Sequence, residues 1–120
     1  MSLSAFNTKH NVYAVVCGDG TAYNSIKLYN TQTASLLHHY TQNKISHQSN
    51  YTSIDLYYKV NKKQINEGCI AVSTDNGFIH IYNISTGDID ARINNFNRSC
   101  INSIQFTTNG MYLHMYINVI

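Results

Sequence analysis

The strongest constraint on this chain is an internal repeat with a period of 50 to 56 residues. Ile26–Thr33 matches Ile79–Thr86 at an offset of 53, and Tyr13–Asp19 matches Cys69–Asp75 at an offset of 56. A third element ends in an apolar residue that recurs every 50 residues, at Phe6, Leu56 and Phe106. Repetition at this spacing is typical of a unit that buries its apolar faces by stacking on its neighbours.

Apolar residues come in short alternating runs and do not follow helical spacing. Between the runs lie clusters of Gly, Asn, Asp and Thr that favour tight turns, for example at 18–20, 75–77 and 109–110. Hydrophobic residues make up 43% of the chain and charged residues 12%, which excludes a disordered chain kept open by its charge. The pattern predicts an all-β fold with strands in groups of four, four and two.

Four-strand units at this spacing are typical of the blades of a β-propeller. We place the first blade at about residues 2–40, the second at about 51–93 and the start of a third at about 100–117. This makes about two and a half four-stranded antiparallel blades, whereas closed propellers have about four to eight. We therefore expect residues 1–120 to form a partial propeller within a longer protein, because an open stack leaves an apolar face exposed.

The repeated residues resemble the WD-repeat family of β-propellers. The family pattern runs from a small residue and Ser through Asp, Gly and Trp-Asp to Thr-Gly, and it reads here as Val72–Gly87. Tyr82-Asn83 replaces the Trp-Asp pair in this copy, and Tyr29-Asn30 replaces it in the earlier copy. The resemblance implies a non-enzymatic scaffold that binds other proteins.

The resemblance also implies a buried hydrogen-bonded network in the second blade. In the family this network joins a His of the preceding loop, a Ser or Thr, an Asp and the aromatic residue of the third strand. The matching residues here are His47, Ser73, Asp75 and Tyr82. Three of these residue types also fit a nucleophilic triad. We favour the structural network because the repeat pattern accounts for all four positions.

Residues 33–49 carry a finer resemblance, to WD-repeat subunits of the small-subunit processome. This chain has Gln42 where that group has Pro, and the short insertion Lys59–Glu67 where the group has a long basic one. The resemblance implies other WD-repeat subunits as partners, a role in pre-ribosomal RNA transcription and processing, and a nucleolar location. The alternative is an adaptor of another complex, such as a ubiquitin-ligase substrate receptor or a trafficking coat, in the cytoplasm.

The sequence offers no arrangement of residues suited to a cofactor or a metal. Its three cysteines lie far apart, and His38 and His39 would point to opposite faces of a strand. We expect no cofactor, no metal and no enzymatic activity. No apolar run approaches the roughly 18 residues typical of a membrane span, so we expect no membrane contact. With a net charge of +2, the small cluster Lys59, Lys62 and Lys63 fits either a solvated loop or a weak contact with RNA phosphates.

Overall fold

The computed structural model describes residues 3–18, 23–42, 49–60, 63, 66–94, 100–107 and 113–117. Within these ranges the chain forms ten β-strands and no helix, which confirms the prediction of an all-β fold. It follows that none of these residues belongs to a helix able to cross a membrane. The strands are β1 (Ser4–Asn7), β2 (Val12–Cys17), β3 (Ser25–Asn30), β4 (Leu36–Thr41), β5 (Tyr51–Val60), β6 (Asn66–Thr74), β7 (Phe78–Asn83), β8 (Ile89–Asn94), β9 (Ile101–Phe106) and β10 (Leu113–Ile117).

The strands form three antiparallel sheets, each built from consecutive strands. The first sheet has the order β1-β2-β3-β4, the second has the order β5-β6-β7-β8, and the third pairs β9 with β10. The strand β5 contacts both β1 and β9, so the first strands of the three sheets lie side by side. Stacked four-stranded sheets with their first strands together are the arrangement of propeller blades.

The segment Lys59–Glu67, which the repeat predicts as a loop, partly extends the second sheet. Lys59 lies opposite Glu67, and Val60 lies opposite Asn66, so β5 and β6 form a longer hairpin. Opposite charges placed across two strands stabilise their pairing even where the residues are weak strand formers. The prediction of a loop is therefore wrong at both ends of this segment.

The second sheet buries both of its faces. One face, which includes Ile70 and Val72, joins the first sheet in a shared core. The opposite face packs Ala71 and Ile79 against β9. All four residues are at most 3% exposed. Because both faces are covered, residues 70–74 of β6 are buried at every position, whereas β2 alternates between buried and half-buried residues.

Side chains of β5 bind the backbone of β9. Three polar residues on β5 each make a hydrogen bond to a main-chain group of the neighbouring strand. The pairs are Thr52 Oγ1 donating to Ile101 O, Ile104 N donating to Ser53 Oγ at 3.3 Å, and Phe106 N donating to Asp55 Oδ2 at 2.6 Å. These bonds satisfy backbone groups that would otherwise be buried without partners, and they join the second sheet to the third.

The Tyr-Asn pairs of the repeat end the third strands β3 and β7 in the same way. Asn30 Oδ1 accepts hydrogen bonds from the amides two and three residues later, at 2.9 and 3.0 Å. Asn83 Oδ1 accepts from the equivalent amides at 2.9 and 3.1 Å. A short side chain with an oxygen acceptor thus builds the turn into the fourth strand in both sheets.

We predict opposite effects on stability from exchanging the residue at the end of this turn. The backbone is left-handed at Ala34, with φ of 60°, and at the equivalent Gly87, with φ of 76°. Because a Cβ is unfavourable there, Ala34→Gly should raise the free energy of unfolding by about 0.5–1 kcal/mol, and Gly87→Ala should lower it by about 1 kcal/mol.

Denaturant unfolding of both variants measures this difference. A Cβ at Gly87 would lie 3.8 Å from the Tyr40 ring, an ordinary contact, so the expected loss comes from the backbone and not from crowding. Changes of the same sign in the two variants would contradict the prediction.

Positions 40 and 93 are equivalent in the two complete sheets. Tyr40 lies opposite Ile26, and Ile93 lies opposite Ile79, 53 residues further along the chain. The second sheet covers Tyr40, whose ring centroid is 5.2 Å from that of Tyr82 and whose exposure is 4%. Ile93 is 44% exposed. Burial at this position therefore depends on whether the next sheet places a side chain against it, as the second sheet places Tyr82 against Tyr40.

We predict that truncation at these equivalent positions has unequal effects. Tyr40→Ala should lower the free energy of unfolding by about 3 kcal/mol or more, because it opens a cavity between two packed sheets. Ile93→Ala should lower it by less than about 1 kcal/mol, because the side chain is already in contact with solvent. Denaturant unfolding compares the two variants, and equal losses would contradict the prediction.

Candidate functional site

Three aromatic side chains meet in the core between the two complete sheets. The Tyr51 hydroxyl lies 2.9 Å from the Tyr82 hydroxyl and 3.3 Å from Nδ1 of His80. The Tyr51 and His80 rings are edge-to-face, with centroids 5.9 Å apart. All three residues are at most 2% exposed. Their position follows from the strands: Tyr51 begins β5, and the other two lie on the central strand β7.

Burial sets the charge state of this cluster. It raises the pKa of Tyr51 and of Tyr82 above the ordinary tyrosine value, so both hydroxyls stay protonated. It lowers the pKa of His80 to about 4, and the nearby Arg92 guanidinium contributes to this shift. His80 is therefore neutral near pH 7. Its Nε2 is buried without a hydrogen-bond partner among the residues that the structure describes.

The structure places three of the four predicted network residues in separate contacts. Tyr82 belongs to the aromatic cluster. The buried Ser73 hydroxyl lies 2.8 Å from the Thr52 hydroxyl. Asp75 is exposed, and its two carboxylate oxygens accept hydrogen bonds from the backbone and side-chain amides of Asn50, each at 3.2 Å.

His47 lies outside the described residues, so a network that joins it to the other three stays a prediction. In the described part of the chain, no hydrogen bond links Ser73, Asp75 and Tyr82 to one another. The position of Asp75 on the surface differs from the expected burial. It follows from the turn after β6, where the carboxylate faces the strand-connecting segment at Asn50 and not the core.

The aromatic cluster is built for packing and offers no reactive group to a substrate. Its hydroxyls are protonated, its imidazole is neutral, and all three residues are sealed from solvent. Within the described ranges, no group of three or more His, Cys, Asp or Glu side chains is placed to hold a metal ion. Lys59 and Lys63 are exposed, and Lys62 of the same basic cluster lies outside the described residues.

Sequence reasoning missed Tyr51 and His80. Tyr51 is visible in the repeat, where it matches Ile101 at an offset of 50, but that match shows no polar role. His80 matches Lys27 at an offset of 53. The available signal was a histidine between two isoleucines on an inner strand. Both faces of such a strand are covered in a stacked sheet, so a histidine there is expected to be buried.

Among solved structures, the chain is similar to the β-propeller domain of Cps50 (Swd1) from Myceliophteria thermophila. The two superpose with a TM-score of 0.62 over 94% of this chain, at 12% sequence identity. The likeness confirms the prediction of propeller blades. The chain spans 31% of the length of that propeller chain. No family model matches the sequence, and no curated protein matches it.

The buried histidine makes a specific contribution to the pH dependence of stability. The pKa of His80 is lowered to about 4 in the folded protein, and it is about 6.5 in an unfolded chain. Below pH 6.5 the unfolded state binds a proton that the folded state does not bind. The stabilising contribution is therefore complete above about pH 6.5 and is lost as the pH falls toward about 4.

We predict that His80→Asn flattens this dependence. In the wild type, His80 should contribute a decrease in unfolding free energy of up to about 1.4 kcal/mol per pH unit between pH 6 and 4, and the variant should lack that contribution. Denaturant unfolding across this range measures both slopes. His39→Asn, which removes an exposed histidine on β4, is the control and should leave the slope unchanged. Parallel slopes for wild type and His80→Asn would contradict the prediction.

Proposed function

We propose that this chain is part of a non-enzymatic WD-repeat scaffold that binds other proteins. The observation that carries the proposal is that the stacked blades bury the aromatic cluster completely between the first two sheets. The ionisable side chains of Tyr51, His80 and Tyr82 are buried in the core between the sheets. The blade surfaces are therefore the part of the chain that is available for binding. Scaffolds of this kind bind through shape and surface contacts on loops and outer strands.

The outer strand of the first sheet supports this proposal. Leu36 and Leu37, neighbours on β4, are 51% and 42% exposed. Large apolar side chains that stay exposed on an outer strand favour contact with another protein. Leu37 is unpaired in the register of β4, and Asp90 takes the equivalent unpaired place in β8. The fold therefore accepts an acidic residue at this position, which makes it suitable for a test.

The scaffold that we propose acts in the small-subunit processome, in the nucleolus, beside other WD-repeat subunits. Support for this comes from residues 33–49, which resemble the family of WD repeat-containing protein 43. Membership of this family would place the protein in pre-ribosomal RNA transcription and processing. The exposed Lys59 would then be available for a weak contact with RNA phosphates.

Affinity purification of the full-length product, followed by mass spectrometry and RNA sequencing, tests the proposal. We predict recovery of several nucleolar WD-repeat proteins with pre-ribosomal RNA, and a loss of at least about half of the protein partners with Leu37→Asp, because a charge in an apolar contact is strongly unfavourable. Gln32→Asp, which adds the same charge in the exposed turn before β4, is the matched control and should retain the partners.

Three other outcomes are informative. Recovery of ubiquitin-ligase or coat subunits would keep the scaffold role and overturn the processome assignment. Equal recovery with Leu37→Asp and Gln32→Asp would exclude the outer strand β4 as the binding surface. Absence of any partner above the background of an untagged strain would contradict the scaffold role.

A further inference from the structure

The outermost strand of the first sheet, β4, has an edge without a strand partner. Within the described residues β4 pairs with β3 alone. The sheet already has its four strands, and the next strand along the chain, β5, begins the second sheet. A further strand at the outer edge of β4 would therefore come from outside this blade.

The equivalent edge strand of the second sheet is protected by charges that β4 lacks. At the same repeat positions, β8 has Asp90 and Arg92 where β4 has Leu37 and His39. Charged side chains on an exposed edge strand are a common means of preventing another strand from pairing with it. Both strands have the same bulge near their start, so the charges are the protective feature that differs between them.

The side chains of β4 are suited to contact with an added strand. Tyr40 packs into the core, and the other residues of β4 are exposed, with Leu36 and Leu37 among them. When an extended segment adds to a sheet edge, main-chain hydrogen bonds supply affinity and alternate side chains supply specificity. An edge without charges and with exposed apolar residues fits this mode of binding.

The charges of the first sheet indicate what such a segment carries. Lys27 on β3 lies opposite His39, so these two side chains share one face of the sheet. It is the face away from the second sheet, because the adjacent residues Ile26 and Leu28 belong to the shared core. Lys27 is the one charged residue in the four strands, and none of their residues is acidic. A carboxylate opposite His39 would accept a hydrogen bond from the imidazole and be attracted by Lys27.

We propose that the outer edge of β4 binds an extended segment of a partner protein, which adds to the first sheet as an antiparallel fifth strand. The segment places an acidic side chain opposite His39 and an apolar side chain beside Leu37. Leu37 precedes His39 by two positions, so in an antiparallel segment the apolar residue follows the acidic one by two positions. This inference deepens the proposed scaffold role and rests on it.

The probe is a capped peptide that matches β4 in length and alternates threonine with valine, with glutamate in place of one central valine. The full-length protein is titrated with this glutamate peptide, and hydrogen exchange is followed by mass spectrometry. We predict saturable binding, slower exchange in Leu36–Thr41, and unchanged exchange in Ile89–Asn94, the edge strand that charges protect. A lysine peptide, with lysine in place of the glutamate, should bind about fivefold more weakly.

A methylated glutamate peptide tests the main-chain contact. It has methyl groups on two adjacent central backbone nitrogens, one facing each edge of the peptide strand, and should bind about tenfold more weakly or less. This change leaves the folded protein untouched, so misfolding cannot explain the loss.

Variants of the protein locate the contact. Leu37→Asp, which introduces the residue that β8 has at this position, should weaken binding of the glutamate peptide by about tenfold or more. Gln32→Asp adds the same charge in the exposed turn before β4 and should change binding by less than about twofold. His39→Glu should reverse the preference, so that the lysine peptide binds more tightly than the glutamate peptide.

Four results would overturn this inference. Two are the absence of saturable binding and equal binding of the methylated and unmethylated peptides. The third is exchange in Leu36–Thr41 that slows as the protein concentration rises without peptide, which would show that a second copy occupies the edge. The fourth is exchange in this strand that is already slow at every concentration, which would show that another part of the same protein covers it. Each leaves the scaffold role to be decided by the purification, so the two failures are distinguishable.

Discussion

A four-stranded sheet with two apolar faces is stable only when a neighbour covers each face, and the rest of this structure depends on that constraint. The second sheet meets it, with Ile70 and Val72 against the first sheet and Ala71 and Ile79 against β9. The first sheet has one face covered in this way, and β2 alternates between buried and half-buried residues as a result. The burial of a position is therefore set by the number of sheets around it and not by its residue type.

The same constraint explains the chemistry of the core between the first two sheets. Stacking brings the hydroxyls of Tyr51 and Tyr82 and the imidazole of His80 into an apolar interior, where unpaired polar groups are strongly unfavourable. Mutual hydrogen bonds satisfy the two hydroxyls and one ring nitrogen, and burial keeps all three groups uncharged near pH 7. The equivalent Tyr29 of the first sheet is half-buried and lies outside this core. One repeat position thus carries a buried, hydrogen-bonded tyrosine in one sheet and a half-buried tyrosine in the other.

Strands and turns were predictable from the sequence because local pattern determines them. Alternating apolar runs mark the strands, and the Asp75–Gly77 turn follows from residues that favour tight turns. Contacts between sheets were not predictable, because strand periodicity defines the face of a residue and leaves its partner on another sheet undefined. Tyr51 and Tyr82 are 31 residues apart and meet only through stacking. The hairpin extension at Lys59–Glu67 was missed because cross-strand pairing outweighs the weak strand preference of those residues.

The hydrogen bonds from β5 to β9 have a consequence for how such a chain evolves. Thr52, Ser53 and Asp55 bind amide and carbonyl groups, which every strand supplies at the same spacing whatever its side chains are. Substitutions along β9 therefore leave these bonds intact, and the repeats are free to diverge in sequence while the sheets keep their stacking. The first strand of a duplicated unit placed after the second sheet could form the same hydrogen bonds with Thr52, Ser53 and Asp55 through its own backbone. At the inner strand β5, a following sheet therefore needs only a strand of the right spacing and no particular side chains.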